Sequence, residues 1–388
     1  MGPRHYATLV WTQVSKRARP GFTRGRIFAS IRRAKGAQFG KPRPISGARA
    51  SDPRVGIASD GETVVTWIGR HRRPRAAIRR PGEPWGSPIR LGDARILGMT
   101  EAVGADGTTV ALWIEGSSRA RRVVAAVKPS DGAFGPPQTL SSDPELRFGV
   151  FFGAAAAGNG RGAVAWDQHC PAPTRVALLQ ANGTFAAPQT IANSQCASDV
   201  IRVAVDDAGG AIALISGYLD NQYVRASIRP PDGSFPPAVR ISEGVSVNGE
   251  LAMSRDGRAA AIWGLFRQRG TPVGIAASVR EPGGSFGSPR RISDRTGGGL
   301  EDLAMNRRGE AIAVWQSIGS FRLKASFLPI GGSFRPPERV SPRLTDKTLA
   351  DPTAAINRRG AGLVAWARPG KGGAQRGVFV STRSRRTQ

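Results

Sequence analysis

The sequence has little of what cofactor and metal chemistry requires: two cysteines, three histidines and three tyrosines in 388 residues. No Cys or His pair has zinc-site spacing. No Gly-rich phosphate loop ends in Lys-Ser or Lys-Thr, and no Gly-x-Ser-x-Gly elbow occurs. No catalytic residue, metal ligand or cofactor is therefore assigned. Apolar runs last only a few residues, too short for a membrane-spanning helix. Met1 leads directly into strand-like sequence with no charged-then-apolar leader in front of it. Acidic residues are also scarce, at 28 against 56 Lys and Arg, for a net charge of +28. Lysine supplies only seven of these cations, so arginine carries the charge. An excess of this size attracts polyanions; a solvated arginine-rich surface would give the same totals.

Glycine (50) and proline (29) are abundant, as suits a turn-rich all-β chain. They recur in order. An aromatic closes an apolar run at Trp11, Trp67, Trp113, Trp166, Trp263, Trp315 and Trp366, with Ile215 in the place of one missing Trp. Six positions before each of these except Trp11 stands a glycine: Gly61, Gly107, Gly160, Gly209, Gly257, Gly309 and Gly360. Several follow Asp or Asn, as hairpin turns prefer where φ is positive. A second turn carries an aromatic and then a proline, as in Gly283-Gly284-Ser285-Phe286-Gly287-Ser288-Pro289, and recurs at Phe39, Trp85, Phe134, Phe185, Phe235 and Phe334.

One unit of about 50 residues thus reads strand A, Gly turn, strand B ending in Trp, loop, strand C, aromatic-Pro turn, strand D. Four short strands per repeat make the blade of a β-propeller. Strand B is apolar on both faces, as in Ala311-Ile312-Ala313-Val314-Trp315, which fits a strand covered by a blade on each side. The Trp and Phe residues are expected to pack between blades. The fold expected is an all-β propeller of seven or eight four-stranded blades in a single domain over 1–388. It comprises a partial blade at 1–46, full blades over 47–341 and a partial blade at 342–388. Seven A, eight B, eight C and seven D strands are counted, so either eight blades include two short ones or sequence upstream of Met1 is missing.

In this strand order the B-to-C and D-to-A loops share one face, where propellers usually bind ligands. Basic residues crowd the B-to-C loops at both ends of the chain. Lys16, Arg17, Arg19, Arg24, Arg70, Arg72, Arg73, Arg267, Arg269, Arg368 and Lys371 are candidate polyanion contacts, and His71 between them is read as an exposed residue. Residues 1–100 carry a net +16 and residues 301–388 a net +10, leaving +2 for the 200 between. Closure of a ring would merge the two basic blocks. Cys170 and Cys196 fall in loops of the same face and either form a disulfide, which marks an oxidising compartment, or stay as thiols. Asp167, His169, Tyr218, Asp220 and Tyr223 lie in the same region and are read as an ordinary polar loop. His5 is read as exposed.

The unit Gly, five residues, Trp, then Ala276 to Arg280 and Gly283 to Pro289, resembles the propeller repeats of predicted secreted actinobacterial proteins. It lacks the Gly-His and Trp-Asp signature of WD repeats and the paired-glycine strand of kelch repeats. Sialidases share a propeller with a Tyr nucleophile, but their separated Asp-x-Gly box is absent, since Asp256 and Gly257 are adjacent. The resemblance implies a non-catalytic, extracytoplasmic binding or scaffold protein. The expected partner is an acidic polysaccharide or cell-wall polymer, with a protein partner as the alternative, nucleic acid and glycosidase activity behind both, and no membrane span.

Overall fold

A computed structural model describes residues 6–14, 24–33, 38–117, 121–141, 150–168, 173–193, 198–217, 222–267, 270–294, 298–318, 320–343, 352–369 and 375–383. The fold is an eight-bladed β-propeller. Six sheets have four strands, and the first and the last, among the described residues, have three. The first begins at a B strand, Ala7–Gln13, and the last ends at a C strand, Gln375–Arg383, as the strand count anticipates. Within each sheet, neighbours in sequence pair antiparallel; the third blade, for example, runs Ile96–Val103, Thr109–Gly116, Arg121–Lys128, Gln138–Ser141.

The chain divides into two compact units, residues 1–169 with 174–189, and 170–173 with 190–388. In unit 1, Ile27, Ala29 and Ile45 of the first blade pack on Ala50, Val65, Trp67 and Ala77 of the second. Ile68, Ala76 and Leu91 then pack on Ile96, Met99 and Trp113 of the third, and Val110, Leu112 and Val123 on Val164 and Trp166 of the fourth. Unit 2 repeats the scheme. Ile212 and Val224 meet Trp263, Ile262 and Ile275 meet Trp315, and Val314 and Leu323 meet Trp366. Each B-strand Trp from Trp67 onward thus packs toward the blade before it, while Trp11 stacks on Phe28 of its own blade. The B strands Thr63–Ile68, Ala211–Gly217 and Ala311–Ser317 are buried at every position, as a strand covered on both faces must be.

The A-to-B turns are three-residue hairpins in which only the glycine takes positive φ, from 76° at Gly160 to 98° at Gly61. Gly61 N donates to Ala58 O at 3.0 Å, while Asp60 Oδ1 accepts from Glu62 N at 2.8 Å. The preceding Asp therefore caps the turn instead of sharing the left-handed conformation, which distinguishes this bulged type from the two-residue turn.

Part of the cationic excess serves the interior. Lys128, 2 % exposed, closes the third blade's C strand and pairs with Glu62 at 2.7 Å. Its ammonium also donates to Pro129 O at 3.2 Å and Ser130 O at 3.1 Å. At the same repeat position Arg229 donates to Gly209 O at 2.6 Å, and Arg280 donates to Gly257 O. Arg258, buried, donates to Gly309 O at 2.7 Å, Pro329 O at 2.8 Å and Gly332 O at 2.9 Å. These guanidinium and ammonium groups satisfy turn carbonyls that would otherwise be buried without a donor.

Candidate functional site

The B-to-C loop of the second blade and the loop entering that blade enclose a cavity of about 540 Å³ in unit 1. Arg49, Arg70 and Arg75 line it, with Trp67, Gly69 and Ala50 against the blade. No carboxylate is among its lining residues.

The repeat explains why there is room here. In the third blade Ile96 stands seventeen residues before Trp113 and is fully buried. Two residues after that Trp, Glu115 accepts from Trp113 Nε1 at 2.9 Å and pairs with Arg122 at 2.9 Å. The second blade has Ala50 at the first of these positions and Gly69 at the second. Both large side chains are gone, and the space beside Trp67 stays open. Trp67 itself is only 2 % exposed, so its indole forms a wall and leaves no face for stacking on a ligand.

The surrounding charge is lopsided. Burial lowers the Arg75 pKa, and the nearby Arg90 and Arg73 charges lower it further, against a smaller opposing pull from Asp93. Arg75 and Arg90 sit directly opposite each other on the C and D strands, an arrangement that destabilises a sheet unless something negative intervenes. Asp93 supplies part of that by pairing with Arg90 at 2.8 Å. Arg72 is likewise lowered by burial first, then by Arg24 and Arg95, with Asp52 opposing.

Backbone strain gathers at the same place. Of the six non-glycine residues with positive φ among the described residues, four are Arg49 (63°), Asp52 (53°), His71 (59°) and Arg72 (57°). Left-handed non-glycine residues are uncommon, and they concentrate where a loop is held for function. Here the turn 70–72 is fixed by Arg72, whose Nε donates to Ile96 O at 2.7 Å and whose Nη2 donates to Leu97 O at 2.6 Å.

The sequence-predicted candidates divide accordingly. Arg70 lines the cavity; Arg72 fastens the loop; Arg73 and Arg24 add positive potential to it. His71 is exposed. Arg267 is exposed in its own turn of unit 2, where its carbonyl accepts from Gly270 N at 3.0 Å. The backbone of Arg368 lies in strand Gly362–Pro369. Lys16, Arg17, Arg19, Arg269, Lys371, Cys170 and Cys196 lie outside the described residues, as do His5, His169, Tyr218 and Asp220, and so does the Arg368 side chain. Asp167 is a buried strand residue, and the ring of Tyr223 is covered by Arg240 at 4.7 Å. Among the described residues no three His, Cys, Asp or Glu gather as metal ligands, and no helix is long and apolar enough to cross a membrane. Arg49 and Arg75 were not singled out from sequence. The signal that could have found them is the loss of bulk at 50 and 69 relative to 96 and 115.

The chain is thus a β-propeller with an open, arginine-walled cavity in unit 1. No protein-family model matches the chain, and no curated protein matches it in sequence. Solved structures do match in fold. The BP39L lectin from Burkholderia pseudomallei is 14% identical with a TM-score of 0.58, over 81% of this chain and 92% of that one. The polysaccharide lyase Uly1 is 9% identical with a TM-score of 0.53, over 97% and 87%. A puromycin hydrolase is 15% identical with a TM-score of 0.52; the match covers 94% of this chain and 57% of the hydrolase. At such identities the likeness is one of fold.

Proposed function

We propose that the protein is a non-catalytic binder of acidic glycans outside the cytoplasm, seating a carboxylate- or sulfate-bearing sugar in the cavity beside Trp67. The observation that carries this reading is the set of three guanidinium groups, Arg49, Arg70 and Arg75, around a cavity with no acidic lining, in a space that Ile96 and Glu115 fill one blade later. Arginine suits this task because its planar fork matches the oxygens of a carboxylate or sulfate. The basic loop residues Lys16, Arg17, Arg19 and Arg24 of unit 1, and Arg267, Arg269, Arg368 and Lys371 of unit 2, are each proposed as polymer contacts. That one neighbour in fold is named a lectin and another a polysaccharide lyase supports a glycan as the ligand class.

The test is a glycan array probed with the native chain and with Gly69→Glu, which restores the carboxylate found at Glu115. Gly69 has φ −85°, within reach of any residue, but an added Cβ would lie 2.8 Å from Arg75 Cγ and 3.3 Å from Arg73 O, so Arg75 must shift to admit it. Uronate- and sulfate-bearing mono- and disaccharides are expected to bind in a salt-sensitive way, and Gly69→Glu to lose them. Equal binding of neutral glycans, binding unchanged by salt, or undiminished binding by Gly69→Glu overturns the reading. Thiol titration of the native, unreduced protein addresses location: two reactive thiols would exclude the Cys170–Cys196 bridge.

A further inference from the structure

A second cationic surface lies at the opposite ends of the B strands, on the A-to-B turns of unit 2. Three successive turns, Ser254 to Gly257, Asn306 to Gly309 and Asn357 to Gly360, carry Arg255, Arg307, Arg308, Arg358 and Arg359. Arg255, Arg308, Arg358 and Arg359 are exposed and form no ion pair among the described residues, whereas Arg307 pairs with Asp207 at 2.6 Å. Neither of the first two A-to-B turns of unit 1 has a cation at these positions; they read Ser59-Asp60 and Ala105-Asp106.

These side chains do no work for the turn. Asn306 Oδ1 accepts from Arg308 N at 2.9 Å and Glu310 N at 3.1 Å, and Asn357 Oδ1 accepts from Arg359 N and Ala361 N, both at 3.0 Å. The asparagines hold the backbone, so the arginine side chains are left to solvent. Successive turns are also fastened together. Asn306 Nδ2 donates to Asn357 O at 2.9 Å, and the buried Arg258 donates to Gly309 O at 2.7 Å. The acids nearby do not offset the charge. Asp207 is taken by Arg307, Glu310 is buried with Asn306, and Asp256 alone is exposed beside Arg255.

We propose that this edge is a second docking site, for an extended acidic polysaccharide whose charges recur along its length. The turn backbones that carry these four like charges are already ordered, so only the side chains lose freedom when an anion arrives, and their recurrence on successive blades suits a linear polymer. Stacking platforms for single-stranded nucleic acid are absent from these turns, since none of the three carries an aromatic residue. The edge belongs to unit 2 and shares no residue with the cavity of unit 1.

The experiment compares binding of a heparin-derived oligosaccharide by the full chain across a salt series in three variants. The first replaces Arg255, Arg308, Arg358 and Arg359 by Ser. The second, of equal net charge, replaces Arg290, Arg291, Arg339 and Arg343, all exposed and in the same unit. The third is Gly69→Glu, which reports on the cavity alone. The first is expected to lose at least about tenfold more affinity than the second and to flatten the slope of log affinity against log salt by about 3, at roughly 0.7–0.9 per contacted charge. Gly69→Glu is expected to keep most of the polymer binding. Replacing the same four arginines by Lys, which leaves the asparagine-held turns intact, is expected to retain most of the affinity. Equal losses in both Ser variants, loss in the Lys variant, or preference for duplex DNA over the oligosaccharide at matched charge overturns the proposal.

Discussion

Replacing Glu101 by Leu is expected to remove a pH dependence of stability that the native chain carries. Glu101 lies on the third blade's A strand, Ile96–Val103. The position twelve residues before the blade's Trp is apolar in the other described blades: Val55, Ala154, Val203, Leu251, Leu303 and Ala354. Both carboxylate oxygens are out of contact with solvent and lack a well-formed hydrogen bond among the described residues, although part of the side chain is accessible. Burial pushes the pKa up to about 8, against smaller opposing effects of Thr66 and the Arg54 charge. Thr66 is itself a polar substitution at a position that is Leu112, Ile262 and Val314 elsewhere. With the folded pKa above the unfolded one, the folded chain holds the proton longer. Stability is therefore fully present below about pH 4.5 and declines as pH rises toward 8, where the folded form also ionises. Each pH unit in that window costs about 1.4 kcal/mol, up to about 5 kcal/mol in all. Urea unfolding of both proteins at intervals from pH 5 to 9 measures this. The difference between them should widen steadily and level off near pH 8, because the histidines contribute equally to both. A difference that is flat across the range, or that shrinks as pH rises, refutes the reasoning.

Two further outcomes concern the turns and their interior cations. Lys128→Met strands Glu62, whose side chain is 8 % exposed with Arg80 Nε still 3.8 Å away; thermal or chemical denaturation should show a loss of about 3–5 kcal/mol, largely recovered when Glu62 is replaced by Gln as well. Gly107→Ala should cost about 1–2 kcal/mol, because the added methyl meets only ordinary contacts while φ stays at 94°; an unchanged midpoint would mean the turn relaxes to another type.

The fold was open to reading because its signals are local and repeated. Trp113, Trp166, Trp263 and Trp315 are fully buried, as the doubly apolar B strands imply. Phe286, Phe185 and Phe134 of the second turn pack against the same clusters. Other repeated devices were visible as letters without a role. The serine ending the D strand is one: Ser242, Ser293 and Ser341 Oγ accept from Val224, Ile275 and Leu323 N at 2.7, 2.8 and 2.9 Å. The cavity was only half legible. Arg70 stood out as part of a charge cluster, but Arg49 and Arg75 required knowing which side chains fail to fill a space, and that depends on comparing positions 50 and 69 with 96 and 115, 46 residues further on. Charge counting also misjudged where cations serve. Lys128, Arg258 and Arg280 contribute to the total yet bond to buried carbonyls. The arginines of the A-to-B turns carry no signal in the charge count, because they are spread singly or in pairs over three turns about 50 residues apart.

The hollow beside Trp67 arises by subtraction, from a small residue at 50 and none beyond the backbone at 69. A repeated architecture makes such a vacancy portable. Trimming Ile96 to Ala and Glu115 to Gly, which face each other across the A and B strands, should open a sister chamber beside Trp113, next to Arg122. New recognition can thus arise in this scaffold by deletion of atoms from one junction at a time, while the seams elsewhere keep the chain folded.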